Sequence, residues 1–175
     1  MKATPWTSVD HYENFPVGSL LVPSRLRPAV VAIYRFAREA DDIADEGSAS
    51  DSDRLQALSL LDESLIALSS SPAGGPDLEA QAPDSVIRLI PFVRSHDLPV
   101  EQLRLLLEAF AQDVRVKRYA DRDSLLQYCS RSANPVGRLL LKLFGIDDPA
   151  SLAHSDRICS ALQLINFLQD IAIDW

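Results

Sequence analysis

Apolar residues recur along the chain at close to helical spacing, and no stretch alternates with a period of two, so the pattern predicts an all-α protein. The first strong helix runs from about Arg25 to Glu46 and opens on the apolar run Ala29-Val30-Val31-Ala32-Ile33. Pro23-Ser24 precedes it as a break, and an earlier turn at Pro5-Trp6-Thr7-Ser8 offers Thr7 or Ser8 as the cap of a helix through His11 and Phe15. After the loop Gly47 to Asp53, whose last serine or aspartate is the expected cap, Leu55, Leu58, Leu61, Leu65, Ile66 and Leu68 form an ordinary packing face. Ser69 to Pro76 reads as a surface connection and not a domain boundary. Val86, Ile87, Leu89, Ile90 and Val93 mark a helix ending near His96-Asp97, which Pro91 is expected to kink or break. Leu98-Pro99-Val100 opens another, through Leu103, Leu106, Leu107, Phe110 and Val114. The next starts near Ser124, passes Tyr128 and Cys129, bends or breaks at Asn134-Pro135-Val136-Gly137 and resumes through Leu139 to Phe144. Gly145-Ile146-Asp147-Asp148-Pro149 is a stop, and the last helix begins near Ser151.

Two of these helices carry polar stripes that an apolar helix should lack. Tyr34, Arg38, Asp41 and Asp45 follow the i, i+4, i+7, i+11 template, and Gln163, Asn166, Asp170 and Asp174 fall at i, i+3, i+7, i+11 among Leu, Ile and Phe. Buried polar groups of the second kind need partners or cost on the order of 1–3 kcal/mol each. Carboxylates one turn apart in a cleft repel each other unless a cation intervenes. A divalent cation bound by oxygen ligands, Mg²⁺ above all, is the simplest common partner, because it uses one or two carboxylates together with water and phosphate oxygens. The first stripe has a plainer alternative, a solvated acidic helix end with Arg38 paired to Asp42.

At 175 residues and 47% hydrophobic, the chain is long enough for one domain, residues 1–175, with an extensive core. A net charge of −8 argues against nucleic acid as a partner and leaves anionic substrates dependent on cations or local basic residues. Lys117-Arg118 and Arg122 form such a basic patch, although a helix C-terminus attracts cations in any case. Asp113, just before it, reads equally as solvated or functional. Cys129 and Cys159 lack metal-ligand spacing and are expected to be free thiols. Neither a glycine-rich phosphate loop nor a signal peptide nor a membrane span is visible, so the expected location is cytoplasmic.

Asp41-Asp42-Ile43-Ala44-Asp45 and Asn166-Phe167-Leu168-Gln169-Asp170-Ile171-Ala172-Ile173-Asp174 resemble the two aspartate-rich motifs of the squalene/phytoene synthase family, the head-to-head prenyltransferases. The resemblance extends through His11-Tyr12-Glu13-Asn14-Phe15-Pro16 and Tyr128-Cys129-Ser130-Arg131-Ser132-Ala133-Asn134-Pro135-Val136-Gly137, and these stretches look most like the branch that makes hydroxysqualene in bacterial hopanoid biosynthesis. It implies an isoprenoid-synthase-type helical bundle around a cavity, with Mg²⁺ as cofactor held by Asp41, Asp45, Asn166, Asp170 and Asp174. Tyr34, Arg38, Tyr128 and Gln163 are the implied catalytic residues, and His11, Phe15, Val136 and Gly137 join Tyr34, Arg38 and Gln163 as substrate-binding ones. The implied reaction ionises presqualene diphosphate and quenches the cation with water; a squalene or phytoene synthase coupling two prenyl diphosphates is the nearest alternative. Such greasy substrates leave contact with a membrane surface open. Family members continue for several more helices, so the C-terminal part of the bundle is expected to be missing here and activity to be weak or absent. An all-α nucleotide pyrophosphohydrolase and an inactive helical fragment remain as readings from other classes.

Overall fold

The computed structural model describes residues 22–71 and 80–173, with side chains through Gln169. The expected N-terminal turn and helix, including His11 and Phe15, and most of the Ser69–Pro76 connection lie outside the described residues, as does Asp174. Seven helices and no strands occur among the described residues, which bears out the all-α class.

Helix α1 (Arg27–Asp45) starts two residues after the expected Arg25, because Pro23 to Leu26 forms a turn and Pro28 occupies the first helical turn, where its missing N–H costs nothing. It buries Ala29, Val30, Ala32, Ile33, Phe36, Ala40 and Ala44. Ser50, and not a later serine or aspartate, caps α2 (Asp51–Ser70) by accepting from the Asp53 N–H at 3.2 Å. Leu58, Leu61, Leu65 and Leu68 turn inward from α2. Helix α3 (Asp84–His96) runs unbroken through Pro91. That proline sits on the exposed face, where the carbonyl it leaves unpaired can turn to water. Asp97 ends α3 in the left-handed region at φ 49°.

Helix α4 (Val100–Arg115) lies against both α1 and α2, and α3 covers the same two helices, so α1 to α4 enclose the main core. Arg104 of α4 fastens that layer to α2 with a two-pronged bond to Asp62 at 2.8 and 3.2 Å. Asp121 and Ser124 form a reciprocal cap that starts α5 (Arg122–Ser132). The chain breaks at Ala133 and restarts as α6 (Asn134–Leu143), as expected at Pro135. Helix α7 (Pro149–Ile173) begins two residues before the expected start, because Asp148 accepts from the Ser151 N–H at 2.9 Å and Pro149 fits the first helical position. Helices α5 and α6 both pack on α4, and α7 packs on α5 and α6.

Gly137 explains how closely α7 approaches α6. A methyl group there would collide with the Ser155 hydroxyl and stand 2.6 Å from the Cys159 sulfur, so the absent side chain makes room for a neighbouring helix. Arg138 and Asp156 clamp the same pair of helices at 3.0 and 2.6 Å.

Candidate functional site

The apolar run of α1 fixes its azimuth, because burying Phe36, Ala40 and Ala44 leaves the opposite edge for Tyr34, Arg38 and Asp41, all half-buried, and for the exposed Asp45. Arg38 is not idle on that edge. Its guanidinium reaches Asp41 at 2.7 Å, Asp42 at 2.8 Å and Glu46 at 2.9 Å. The plainer reading of this segment is present in the structure: Arg38 and Asp42 pair along the helix, and Asp41 shares the same guanidinium.

Asp113 on α4 feels that charge. Tyr128, buried on α5, donates its hydroxyl to Asp113 Oδ2 at 2.7 Å. Burial pushes the Asp113 carboxyl up most, the Tyr128 hydrogen bond holds it back, and the charges of Asp45 and Asp41 push it further, to about 6. Burial, followed by the neighbouring Asp113, raises the Tyr128 phenol far above its ordinary value.

An aromatic cluster continues the site. The Tyr128 ring lies 5.2 Å from that of Tyr119 and 5.9 Å from that of Phe167, both tilted, a favourable geometry for aromatic pairs. The Tyr119 hydroxyl accepts from Gln112 at 3.2 Å, and Gln112 accepts from Arg131 at 3.2 Å, so the cluster is tied to α4 and α5. Phe167 and Leu164 bring α7 to this wall. Asn166, half-buried, adjoins Phe167 in sequence, and Gln163 lies one turn earlier, also half-buried. Tyr128 thus touches both Asp113 of α4 and Phe167 of α7.

Asp170 lies within α7 but its side chain is outside the described residues. Val136 is half-buried against the main core and Gly137 faces α7, so helix packing accounts for both small residues. The basic segment Lys117-Arg118 and Arg122 is exposed beside the site, with Lys117 bonded to the Asp113 carbonyl at 2.7 Å. An open groove of about 510 Å³ between α2, α3 and α4 contains none of these residues, and its arginines are already engaged, Arg94 with the Leu68 and Ser71 carbonyls and Arg104 with Asp62.

Two further residues bear on the site, Asp113, which the sequence leaves open between a solvated and a functional role, and Arg54. Asp113 was ambiguous because its partners are remote in sequence. Arg54 gave a signal that went unread: it occupies i of the i, i+4, i+7, i+11 stripe completed by Leu58, Leu61 and Leu65, which puts an arginine on a buried face.

Carboxylates such as Asp41 and Asp45 are of the type that a cation with oxygen ligands takes. The charges of Asp45 and Asp41 add to burial, the larger cause, in raising the Asp113 carboxyl, and all the candidate ligand atoms are oxygen. Among the described residues no three carboxylate, imidazole or thiol groups stand close enough to enclose a metal alone, so the fit is for carboxylates supplemented by phosphate oxygens and water.

A fold of acidic and aromatic helices of this kind defines a class, and the sequence comparison confirms it: residues 9–175 match the squalene/phytoene synthase family, and the chain belongs to that family. It is similar to a protein named hydroxysqualene synthase from Zymomonas mobilis, with 40% identity covering 93% of this chain and 52% of the relative. The hydroxysqualene synthase of Sinorhizobium fredii is 36% identical over 98% of this chain and 55% of that protein. A presqualene diphosphate synthase of Zymomonas mobilis shares 34% identity over 92% of this chain and 53% of its own length. Among solved structures, the squalene synthase HpnC from Alicyclobacillus acidocaldarius superposes with a TM-score of 0.74 at 36% identity, covering 94% of this chain and 58% of that one. The chain spans about half the length of the curated relatives it matches. Family membership sets aside the nucleotide pyrophosphohydrolase reading.

Proposed function

We propose that the protein acts on presqualene diphosphate with Mg²⁺, releasing inorganic diphosphate and adding water to the resulting carbocation to give hydroxysqualene. The observation that carries this reading is the 2.7 Å bond from Tyr128 to Asp113, because Asp113 also stands in the field of Asp45 and Asp41 and so joins the acidic end of α1 to the aromatic wall. A charged edge beside an apolar wall suits a ligand with a diphosphate head and a hydrocarbon tail. The naming of the hydroxysqualene synthase relatives supports the same choice of substrate.

Asp41, Asp45, Asn166, Asp170 and Asp174 would hold Mg²⁺. Bound there, it supplies positive charge that stabilises the departing diphosphate. Arg38, already shared among three carboxylates, contributes a second cation at the same edge and contacts the diphosphate oxygens. As the cyclopropylcarbinyl C–O bond breaks, its electron pair leaves with diphosphate, and a C–C bond of the three-membered ring opens to give an allylic cation. Water then forms the new C–O bond and gives up a proton to solvent. The faces of Tyr34, Tyr128 and Phe167 stabilise the carbocation by about 0.5–2 kcal/mol each. Gln163, half-buried one turn before Asn166, would face the substrate, and the family resemblance adds His11 and Phe15 as residues that would bind it.

Incubation of the full-length gene product with Mg²⁺ and presqualene diphosphate, followed by mass spectrometry of a hexane extract, tests the reading. Hydroxysqualene is expected with Mg²⁺ and not with a chelator. Products from farnesyl diphosphate but none from presqualene diphosphate would transfer the assignment to the coupling reaction. If neither substrate turns over and Asp41→Asn with Asp170→Asn changes nothing but stability, the helices serve packing alone.

A further inference from the structure

We propose that Arg54 of α2 is a positioning residue for the acid-rich end of α1, holding Asp41 and Asp45 where they can share a divalent cation. The proposal rests on the reading above, which takes those carboxylates as cation ligands. The C-terminal part of α1 carries Asp41, Asp42 and Asp45, followed by Glu46, and its last turn has no basic residue. Anions there face the negative pole of the helix dipole and its unpaired carbonyls, so this turn is electrostatically mismatched and prone to fray. Asp45, the last residue of the helix, would be displaced first.

Arg38 balances three of these carboxylates from within the helix, but the cation that meets the carbonyls of its end comes from α2. Arg54 is only 9% exposed. It donates from Nη1 to the Ile43 carbonyl at 2.7 Å, from Nη2 to that of Gly47 at 2.9 Å and from Nε to that of Ala49 at 3.2 Å. One planar group therefore pins a carbonyl between Asp42 and Asp45 together with two in the connection that follows, where Gly47 adopts φ 78°. A leucine would serve the α2 stripe as well if packing were its only role. Lysine keeps the charge but not the fork, because a single ammonium cannot match three separated carbonyls in this arrangement.

The test compares Arg54→Lys and Arg54→Gln with Leu89→Ala, a fully buried position on α3. Terbium(III) luminescence with Mg²⁺ competition reads cation affinity without requiring turnover, and amide hydrogen exchange over residues 42–47 reads fraying. Both Arg54 variants should weaken cation binding about tenfold and speed exchange in that segment, whereas Leu89→Ala should lower the melting temperature and leave affinity within about twofold. If Arg54→Gln does not fold, Arg54→Lys carries the test. Wild-type affinity in Arg54→Lys despite faster exchange overturns the proposal, as does an equal loss in Leu89→Ala. If Asp45→Asn binds terbium as tightly as wild type, the acidic end is not the cation site and the parent reading falls first.

Discussion

Helices α1 and α7 look alike in sequence, each an apolar helix with a polar stripe, but they are held in different ways. Helix α1 touches α2, α3 and α4, and Phe36 and Ala40 are fully buried on it. Helix α7 leans on α5 and α6 through Phe167, Leu164 and the close approach at Gly137, while Ile158, Leu162, Ile165 and Leu168 are 49 to 67% exposed. Helical periodicity says which residues share a face, not which face finds a neighbour. The polar stripe of α1 is set by the core behind it; that of α7 is set by side contacts, among them Phe167, the close approach at Gly137 and the Arg138–Asp156 clamp.

The sharpest way to break the comparison is to truncate equivalent apolar residues on the two helices. Phe36→Ala should cost about 3–5 kcal/mol in denaturant unfolding, since it empties a closed core. Removing the Tyr128 hydroxyl with Tyr128→Phe leaves the half-buried Asp113 carboxyl short of its donor and should cost about 1–3 kcal/mol by the same measurement; a smaller loss would mean that water already serves Asp113. Gly137→Ala should cost a similar 1–3 kcal/mol or so by forcing α7 off α6, with part of it recovered by adding Ser155→Ala.

A subtler effect appears with pH. The folded Asp113 carboxyl lies near 6 against 3.8 when unperturbed, so its favourable contribution is complete below the lower value and is lost as pH rises through the upper one. Wild type should therefore lose stability relative to Asp113→Asn between about pH 4 and pH 7, on the order of 1–2 kcal/mol once solvent screening of a half-exposed group is allowed for. A difference that grows in the opposite direction would mean that Asp113 is ionised and paired. Smallest of all, Leu168→Ala on α7 should change stability by less than about 0.5 kcal/mol. A loss there equal to that of Phe36→Ala would show that α7 is as enclosed as α1.

Much of this was legible from residue spacing. The buried face of α1, the break at Pro135 and the stop at Gly145 follow from local rules that act within a turn or two. Asp113 was not legible, because its environment is built by Tyr128 from α5 and by Asp45 and Asp41 from α1, and no local pattern encodes those meetings. Arg54 was hidden for the opposite reason. Its position on the leucine stripe is local, but only the end of α1 shows why a charge can be buried there. Pro91 misled because its effect depends on whether its face meets solvent.

The measurement closest to the centre of the account is a double-mutant cycle on Asp45→Asn and Asp170→Asn, read by calorimetric binding of inorganic diphosphate in the presence of Mg²⁺. If both acidic segments grip one ligand, each single change weakens binding and the pair departs from additivity by at least about 1 kcal/mol. Losses that simply add, to within about 0.5 kcal/mol, would place the two carboxylates at separate sites.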